Sequence, residues 1–483
     1  MAALEQVSIE PMDPRRFGRV LSEGEYEALT DLMTHATRAL HGRVIWNVNS
    51  TAKGGGVVEM LRPLLGYSRG AGVDARWAVI AGSPAFFELT KRMHNRLHGF
   101  DGDGGPLGAH EHEIYERTLA ANAAQLLQLV RPRDVVILHD PQTAGLTEQV
   151  KRTGATVIWR CHVGLDHANE NAREAWRFLM PYVLPAHAFV FSRAGFAWEG
   201  LPRRRITVIR PSIDAFSPKN ADQSAEQSLA ILATAGILAQ RAVDRATFTR
   251  PDGSEGKVQR RAVVNEDHPA ASEDRLILQV SRWDGLKDPL GVINGFAHHA
   301  EGLDGAHLML AGPSTEAVAD DPEGAAVFGA VQTVWRELPA SLRRRVHLVS
   351  LPMEDVDENA AMVNALQRHA SVVVQKSLAE GFGLTVAEAM WKARPVVASR
   401  IGGIRDQIVD GKSGLLLSDP RDPREFGNAL AALVRDRDRA ERIGTEAHAS
   451  VQEHFLGPQH LGRYFEVISR LLAARAHETT PAR

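Results

Sequence analysis

Two cations, Arg282 and Lys287, lie in Ser281-Arg282-Trp283-Asp284-Gly285-Leu286-Lys287-Asp288-Pro289, directly after the apolar run at 276–280 (LILQV). Ligands of α/β sheets gather beyond the carboxyl ends of strands. Two cations converging there stabilise a diphosphate, both when bound and as it departs with added negative charge. A cation pair near a strand end is by itself more often solvated, so it needs company. The stretch 375–390 (QKSLAEGFGLTVAEAM) provides it, following the apolar run 371–374 and leading into an apolar helix. Its glycines permit a tight turn and close backbone approach. Amides around Gly383–Thr385 then stand free at a helix N-terminus, a ready anion site. Glu380, in the loop, can accept from sugar hydroxyls. Glu388, about a turn into the helix, can accept from the two hydroxyls of a ribose, although in isolation it reads as an ordinary helix carboxylate. Together these groups describe a site for a nucleoside-diphosphate sugar.

The first half carries a second set. The run at 43–48 (RVIWNV) ends in Asn49-Ser50-Thr51-Ala52-Lys53-Gly54-Gly55-Gly56, where three glycines let a phosphate or sugar come close. The run at 134–138 ends at His139-Asp140-Pro141-Gln142, and the run at 156–159 ends at Arg160-Cys161-His162. A single histidine at a strand end is more often structural than catalytic. Polar groups at three separate strand ends point to a polyhydroxylated ligand.

Several familiar motifs fail. Gly411-Lys412-Ser413 resembles the end of a phosphate-binding P-loop, but Asp406 stands where its first glycine belongs. Gly381-Phe382-Gly383 lacks the third glycine of a dinucleotide fingerprint. His94, His98, His110 and His112 have no HExxH spacing and read as a solvated, Gly/Asp-rich loop. Asp101-Gly102-Asp103 follows no buried strand, which removes it as a metal motif.

These residues need scaffolds, and the hydropathy pattern supplies two. Short Val- and Ile-rich runs at 43–48, 76–81, 134–138, 156–159, 188–191 and 206–209 alternate with helical spacing such as 57–65 and 115–130. A second series runs through 276–280, 307–310, 346–349, 371–374, 395–398 and 414–417. Such alternation implies parallel βαβ units. The fold class is therefore α/β: two doubly wound, Rossmann-like domains, with ligands expected in the cleft they face. The expected boundaries are 1–215 for the acceptor-side domain, completed by a C-terminal helix at 455–475, and 216–454 for the nucleotide-sugar domain. Between 211 and 274 no strand series is visible. Residues 219–245 read as a helix, and the charged stretch around 245–270 as an insertion or loop. The tail from 473 to 483 is expected to fray.

The composition is that of a soluble multidomain protein. The chain has 483 residues, 44% hydrophobic and 24% charged, with a formal net charge of −3. That balance gives no bulk basic field for nucleic acid or an anionic membrane. Cys161, the only cysteine, forms no intramolecular disulfide. With no secretory pattern and no apolar run of membrane-spanning length, a cytoplasmic location is expected.

The Arg282/Lys287 pair and the Glu380-x7-Glu388 motif resemble the retaining glycosyltransferases of GT-B fold, which include sucrose, glycogen and trehalose synthases. More narrowly, GGGVVEML (54–61), HDPQTAGL (139–146), WRCHVGLD (159–166), VSRWDGLKDP (280–289), QKSLAEGFGLTVAEAMWK (375–392) and IGGIRDQI (401–408) resemble the glycosyltransferring trehalose synthases and the related retaining trehalose phosphorylases. The resemblance implies that Arg282 and Lys287 hold a donor diphosphate and Glu388 its ribose. It implies that Glu380, Gly381, Phe382, Gly383, Leu384 and Thr385 hold the transferred glucose, with His162 beside it. Gly55 and Gly56 face the phosphate, while Asn49, Asp140 and Gln142 are candidates for the acceptor. His162, Glu380, Arg282 and Lys287 form the implied catalytic set. No metal and no cofactor is implied, because the cations take the metal's role. Relatives often carry Asp after the His-hydrophobic pair; this chain has Gly164, with Asp166 two residues later.

The leading expectation is a retaining, reversible transferase that makes α,α-trehalose from a nucleoside-diphosphate glucose and free glucose. A retaining trehalose phosphorylase is the alternative within enzymes. A non-catalytic nucleotide-sugar sensor is the alternative outside them, favoured only by loss of Glu380 or Arg282. The nucleotide base is left open. Expected partners are small molecules only, with neither nucleic acid nor membrane, and a homodimer is the commonest assembly for such a protein.

Overall fold

The Val- and Ile-rich runs become strands in two seven-stranded sheets, one in each of the two units into which the chain divides, and all but the edge strand Ile206–Val208 are largely buried. The computed structural model describes residues 4–239, 245–303, 305–315 and 322–479. One unit comprises Met1–Ser212 with Phe455–Arg483, the other Ile213–His454.

In the first unit the strands lie in the order Glu5–Val7, Ala75–Val79, Ile45–Asn49, Val135–His139, Thr156–Cys161, Ala188–Phe191 and Ile206–Val208. All are parallel except Glu5–Val7, which pairs antiparallel with Ala75–Val79. The chain order reverses between Ile45–Asn49 and Val135–His139, the crevice where such sheets take ligands. Val467 and Ile468 of the C-terminal helix Gly457–Thr479 pack with Ile45, Val135, Ile158 and Val190 of this sheet. The last segment of the chain thus covers one face of the first sheet.

The second unit's order is Val263–Asn265, Val346–Leu351, His307–Pro313, Leu276–Val280, Val372–Gln375, Val396–Ser399 and Leu415–Leu417. Only Val263–Asn265 is antiparallel to its neighbour. Here the reversal falls between Leu276–Val280 and Val372–Gln375, the two strands that feed the Arg282 and Glu380 loops.

The structure departs from expectation between 211 and 274. The helix there spans only Ala225–Thr234, and residues 240–244 of the longer expected helix lie outside the described residues. The expected loop holds a hairpin of Thr247–Thr249 with Glu255–Lys257, followed by the sheet strand Val263–Asn265. Each strand is three residues long, too short to show a period. Tertiary ion pairs hold them: Arg250 meets Asp355 at 2.8 Å and Asp357 at 3.0 Å, and Arg260 pairs with Glu358. The polar N-terminus likewise contributes the edge strand Glu5–Val7. At the other end the expected fraying from 473 meets a helix that continues through Thr479, and 480–483 lie outside the described residues.

Candidate active site

Lys287 and Glu380 form an ion pair, both largely buried, at the chain reversal of the second sheet. Local structure brings Lys287 there. Asp284 accepts from the Leu286 amide at 2.8 Å and caps the short turn Gly285–Lys287. Asp288, at φ 52°, then caps the helix Pro289–His299 by accepting from the Gly291 amide. The Leu378 amide donates to the Leu286 carbonyl at 2.7 Å, stitching the two loops together. A second ion pair, Lys376 with Asp288, lies beside the first with its charges reversed between the loops. Lys376 is buried and sits 5.9 Å over the Phe426 ring.

Arg282 behaves differently from Lys287. Its side chain is 64% exposed and pairs with Asp284 at 2.9 Å. The loop therefore offers one largely buried cation and one solvent-exposed cation.

Gly383, at φ 84°, precedes the helix Leu384–Trp391 and no side chain caps that end. The first-turn amides of Leu384 and Thr385 are thereby available to an anion or a hydroxyl. Glu388 points into the protein, is 4% exposed and lies 3.6 Å from Lys219. Behind it, the buried Lys392 donates to Asn220, Gln367 and the Glu388 carbonyl at 2.9, 2.8 and 3.0 Å. Burial holds the Lys392 ammonium well below its ordinary pKa.

Gly402 and Gly403 shape the Glu380 loop from the far side, a role that sequence reading missed. A Cβ on Gly402 would lie 1.8 Å from the Glu380 carbonyl oxygen, and one on Gly403 would lie 2.6 Å from Phe382 Cα. The Gly403 amide donates to the Gly381 carbonyl at 3.0 Å, and Gln407 donates to the Phe382 carbonyl. Their signal was the pair of adjacent glycines after the strand Val396–Ser399.

In the first unit the centre is Asp140 with His162. Asp140 Oδ1 accepts from the His162 amide at 2.8 Å, and Oδ2 lies 2.9 Å from His162 Nδ1. Burial raises the Asp140 pKa, but the His162 contacts outweigh it and hold the carboxyl down at about 2. Burial depresses His162, against the pull of Asp140. The His139 ring stacks on His162 at 5.3 Å, and its Nε2 lies 2.9 Å from Asn47 Oδ1. Burial again holds His139 well below its ordinary pKa.

Two strands here end later than their apolar runs suggest. Val135–His139 includes His139, and Thr156–Cys161 includes Arg160, which is fully buried rather than set at a strand end. The strand length follows from ladder pairing with neighbours, which polar side chains do not interrupt. Asn49 is also committed internally: its amide donates to the Thr51 carbonyl at 2.7 Å, and its carbonyl accepts from Trp77 Nε1 at 2.8 Å. Gln142 is half-buried, with no side-chain hydrogen bond among the described residues. Gly55, at φ 83°, precedes the uncapped helix Gly56–Gly70, and both glycines are exposed.

The histidine patch is not a solvated loop. His94 lies in the helix Pro84–Leu97, the buried His98 caps that helix, and His110 and His112 lie in Ala109–Leu126. His112 stacks on Phe178 at 3.9 Å, a packing role invisible to spacing. Asp101 and Asp103 pair with Arg96 and Arg92. Among the described residues no group of three or more His, Cys, Asp or Glu is placed to hold a metal ion. No described helix is long and apolar enough to cross a membrane.

Comparison with known proteins places both units. Residues 47–198 match the family model described as trehalose synthase, N-terminal domain, and 261–450 match glycosyl transferases group 1. The chain is 32% identical over 434 residues to a trehalose synthase of Pyrococcus horikoshii, covering 89% of this chain and 91% of that one. A trehalose phosphorylase of Pleurotus pulmonarius is 24% identical over 429 residues, covering 84% of this chain and 54% of its own. Among solved structures, an α,α-trehalose-phosphate synthase (UDP-forming) of Burkholderia xenovorans superposes with a TM-score of 0.63 at 16% identity. That match covers 90% of this chain and all of the other.

Proposed function

The chain belongs to the trehalose synthase family and has a two-domain GT-B fold, and from that premise we propose that it transfers glucose from a nucleoside-diphosphate glucose to free glucose, giving α,α-trehalose. Trehalose-related glycosyl transfer follows from the family; the donor, the acceptor and the residue roles are the proposal. The Lys287–Glu380 pair supports it, because a cation suited to a diphosphate meets a carboxylate suited to sugar hydroxyls. In this reading Lys287 and the solvated Arg282 take the diphosphate and Glu388 takes the ribose. Glu380 and the amides from Gly381 to Thr385 take the glucose. Of the first unit, His162 is proposed as a sugar-binding residue, Gly55 and Gly56 as phosphate-binding ones, and Gln142, with no side-chain hydrogen bond among the described residues, as the acceptor candidate.

The bond from the anomeric carbon to the phosphate oxygen breaks while the bond to the acceptor oxygen forms on the same face. The departing phosphate takes the acceptor's hydroxyl proton, through an oxocarbenium-like state. The protein then acts by positioning and charge stabilisation, with cations in the place of a metal.

The test is nucleotide release from ADP-, UDP- and GDP-glucose, with and without glucose, beside an assay of phosphate with trehalose. Glucose-dependent release with trehalose as product supports the reading and identifies the base. Glucose 1-phosphate from phosphate and trehalose, without nucleotide turnover, replaces it with a phosphorylase. Turnover undiminished by EDTA is expected, and its loss would overturn metal independence.

A further inference from the structure

Asp140 stands at φ 62°, a left-handed conformation that residues with a Cβ rarely adopt. Such strain persists where surrounding contacts over-determine it. Here they do. Both carboxylate oxygens engage His162, through its amide and its Nδ1. The Asp140 carbonyl accepts from Trp159 Nε1 at 3.1 Å. On the other side, Ser192 Oγ donates to the His162 carbonyl at 3.4 Å, and Arg160 donates to Ser192 Oγ. His162 is thus gripped at its backbone amide and carbonyl, at one ring nitrogen and on one ring face.

We propose that Asp140 is a positioning residue that holds His162 in the tautomer protonated on Nδ1, leaving Nε2 a bare acceptor for one hydroxyl of the sugar being transferred. An ionised carboxylate only accepts, so the Nδ1 contact requires the proton on Nδ1. His162 Nε2 is buried and has no hydrogen-bond partner among the described residues. Burial outweighs the pull of Asp140 toward a charged ring there, and Arg160 opposes that charge as well. The other titratable groups facing this ring are His139 from the neighbouring strand and His460 from the C-terminal helix, and both are disfavoured as cations. His162 therefore reads a hydroxyl as an acceptor rather than supplying a proton. This assignment rests on the glucosyl-transfer reading for the identity of the hydroxyl, though not for the tautomer.

The test is the imidazole nitrogen spectrum of 15N-histidine-labelled protein near neutral pH, with His162 assigned from the spectrum of His162→Gln. A protonated Nδ1 and an unprotonated Nε2 are expected. Asp140→Asn should yield a tautomer mixture and a donor kcat/KM lower by roughly ten- to a hundredfold, the scale of one buried polar group left unsatisfied. Asp140→Glu should restore part of both. A wild-type His162 protonated on Nε2 overturns the proposal, as does an Asp140→Asn protein that keeps both spectrum and kcat/KM. The wild-type spectrum needs no substrate, so its failure is distinct from failure of the transfer reading, which only the product assay reports.

Discussion

Lys287 and Glu380, 93 positions apart in the chain, neutralise each other across two loops of one unit. Their neighbours Asp288 and Lys376 repeat the contact with the signs exchanged. A donor sugar would divide the first pair, its diphosphate drawing Lys287 and its hydroxyls Glu380, while the second pair continues to hold the loops together.

Lys287→Ala should therefore act on both turnover and stability. The two side chains are 17% and 12% exposed. Removing one partner of a buried pair costs about 3–5 kcal/mol, reduced to about 1–3 kcal/mol here because solvent still reaches both. Turnover should fall at least a hundredfold, the scale of a lost charge-stabilising donor. Lys287→Met with Glu380→Gln should recover most of the stability and none of the turnover. Thermal melts and initial rates read the two effects, and recovered turnover would make the pair purely structural.

Glu388→Gln should raise the donor KM by about tenfold or more, the loss of a hydrogen bond to a charged group, with a smaller change in kcat. The half-buried Lys219 and the buried Lys392 lie next to it, so a melt must accompany the kinetics. An unchanged donor KM would remove Glu388 from the ribose role.

Gly402→Ala should misplace Glu380 without touching any charged group. The added Cβ would overlap the Glu380 carbonyl oxygen at 1.8 Å, and the backbone there is at φ 44°. Backbone must yield, so turnover should fall together with glucose-analogue affinity. A variant with native kinetics would show that the loop adapts freely.

The first unit should lose stability on mild acidification. His139, His162 and His460 are all depressed by burial, and His187 falls to about 4. Below pH 6.5 the unfolded chain binds protons that these folded rings refuse. Stability therefore falls as pH drops from 6.5 toward the folded values and is level above. Each fully buried ring contributes about 1.4 kcal/mol per pH unit within that window. Asp140, held at about 2, adds a loss only below the ordinary carboxylate range near 4. Urea midpoints between pH 5 and 8 test the slope; a flat profile would contradict it.

Much of this was legible along the chain. The buried strands announced themselves through Val and Ile runs, because burial on both faces leaves no polar alternation to disguise them. The loops after 280 and 374 could be placed at strand carboxyl ends, where a parallel sheet carries its chemistry, and both lie at the chain reversal of their sheet. Three-residue strands such as Val263–Asn265 were not legible, since that strand is held by pairing with Leu348–Ser350, and the segment before it by bonds of Arg250 and Gln259 to Asp355, Asp357 and Glu358, about a hundred positions away.

The residue types and their order, from GGG at 54–56 to the Glu380–Glu388 motif, determined the fold class and the family. Partnership was decided only in three dimensions. Lys287 meets Glu380 while Arg282 stays in solvent. Asp140, an acceptor candidate by resemblance, spends both oxygens on His162. Hydropathy and spacing are local properties that a linear reading can measure. The partner of a charge is the group that folding carries within about 3 Å of it, and burial then fixes its protonation.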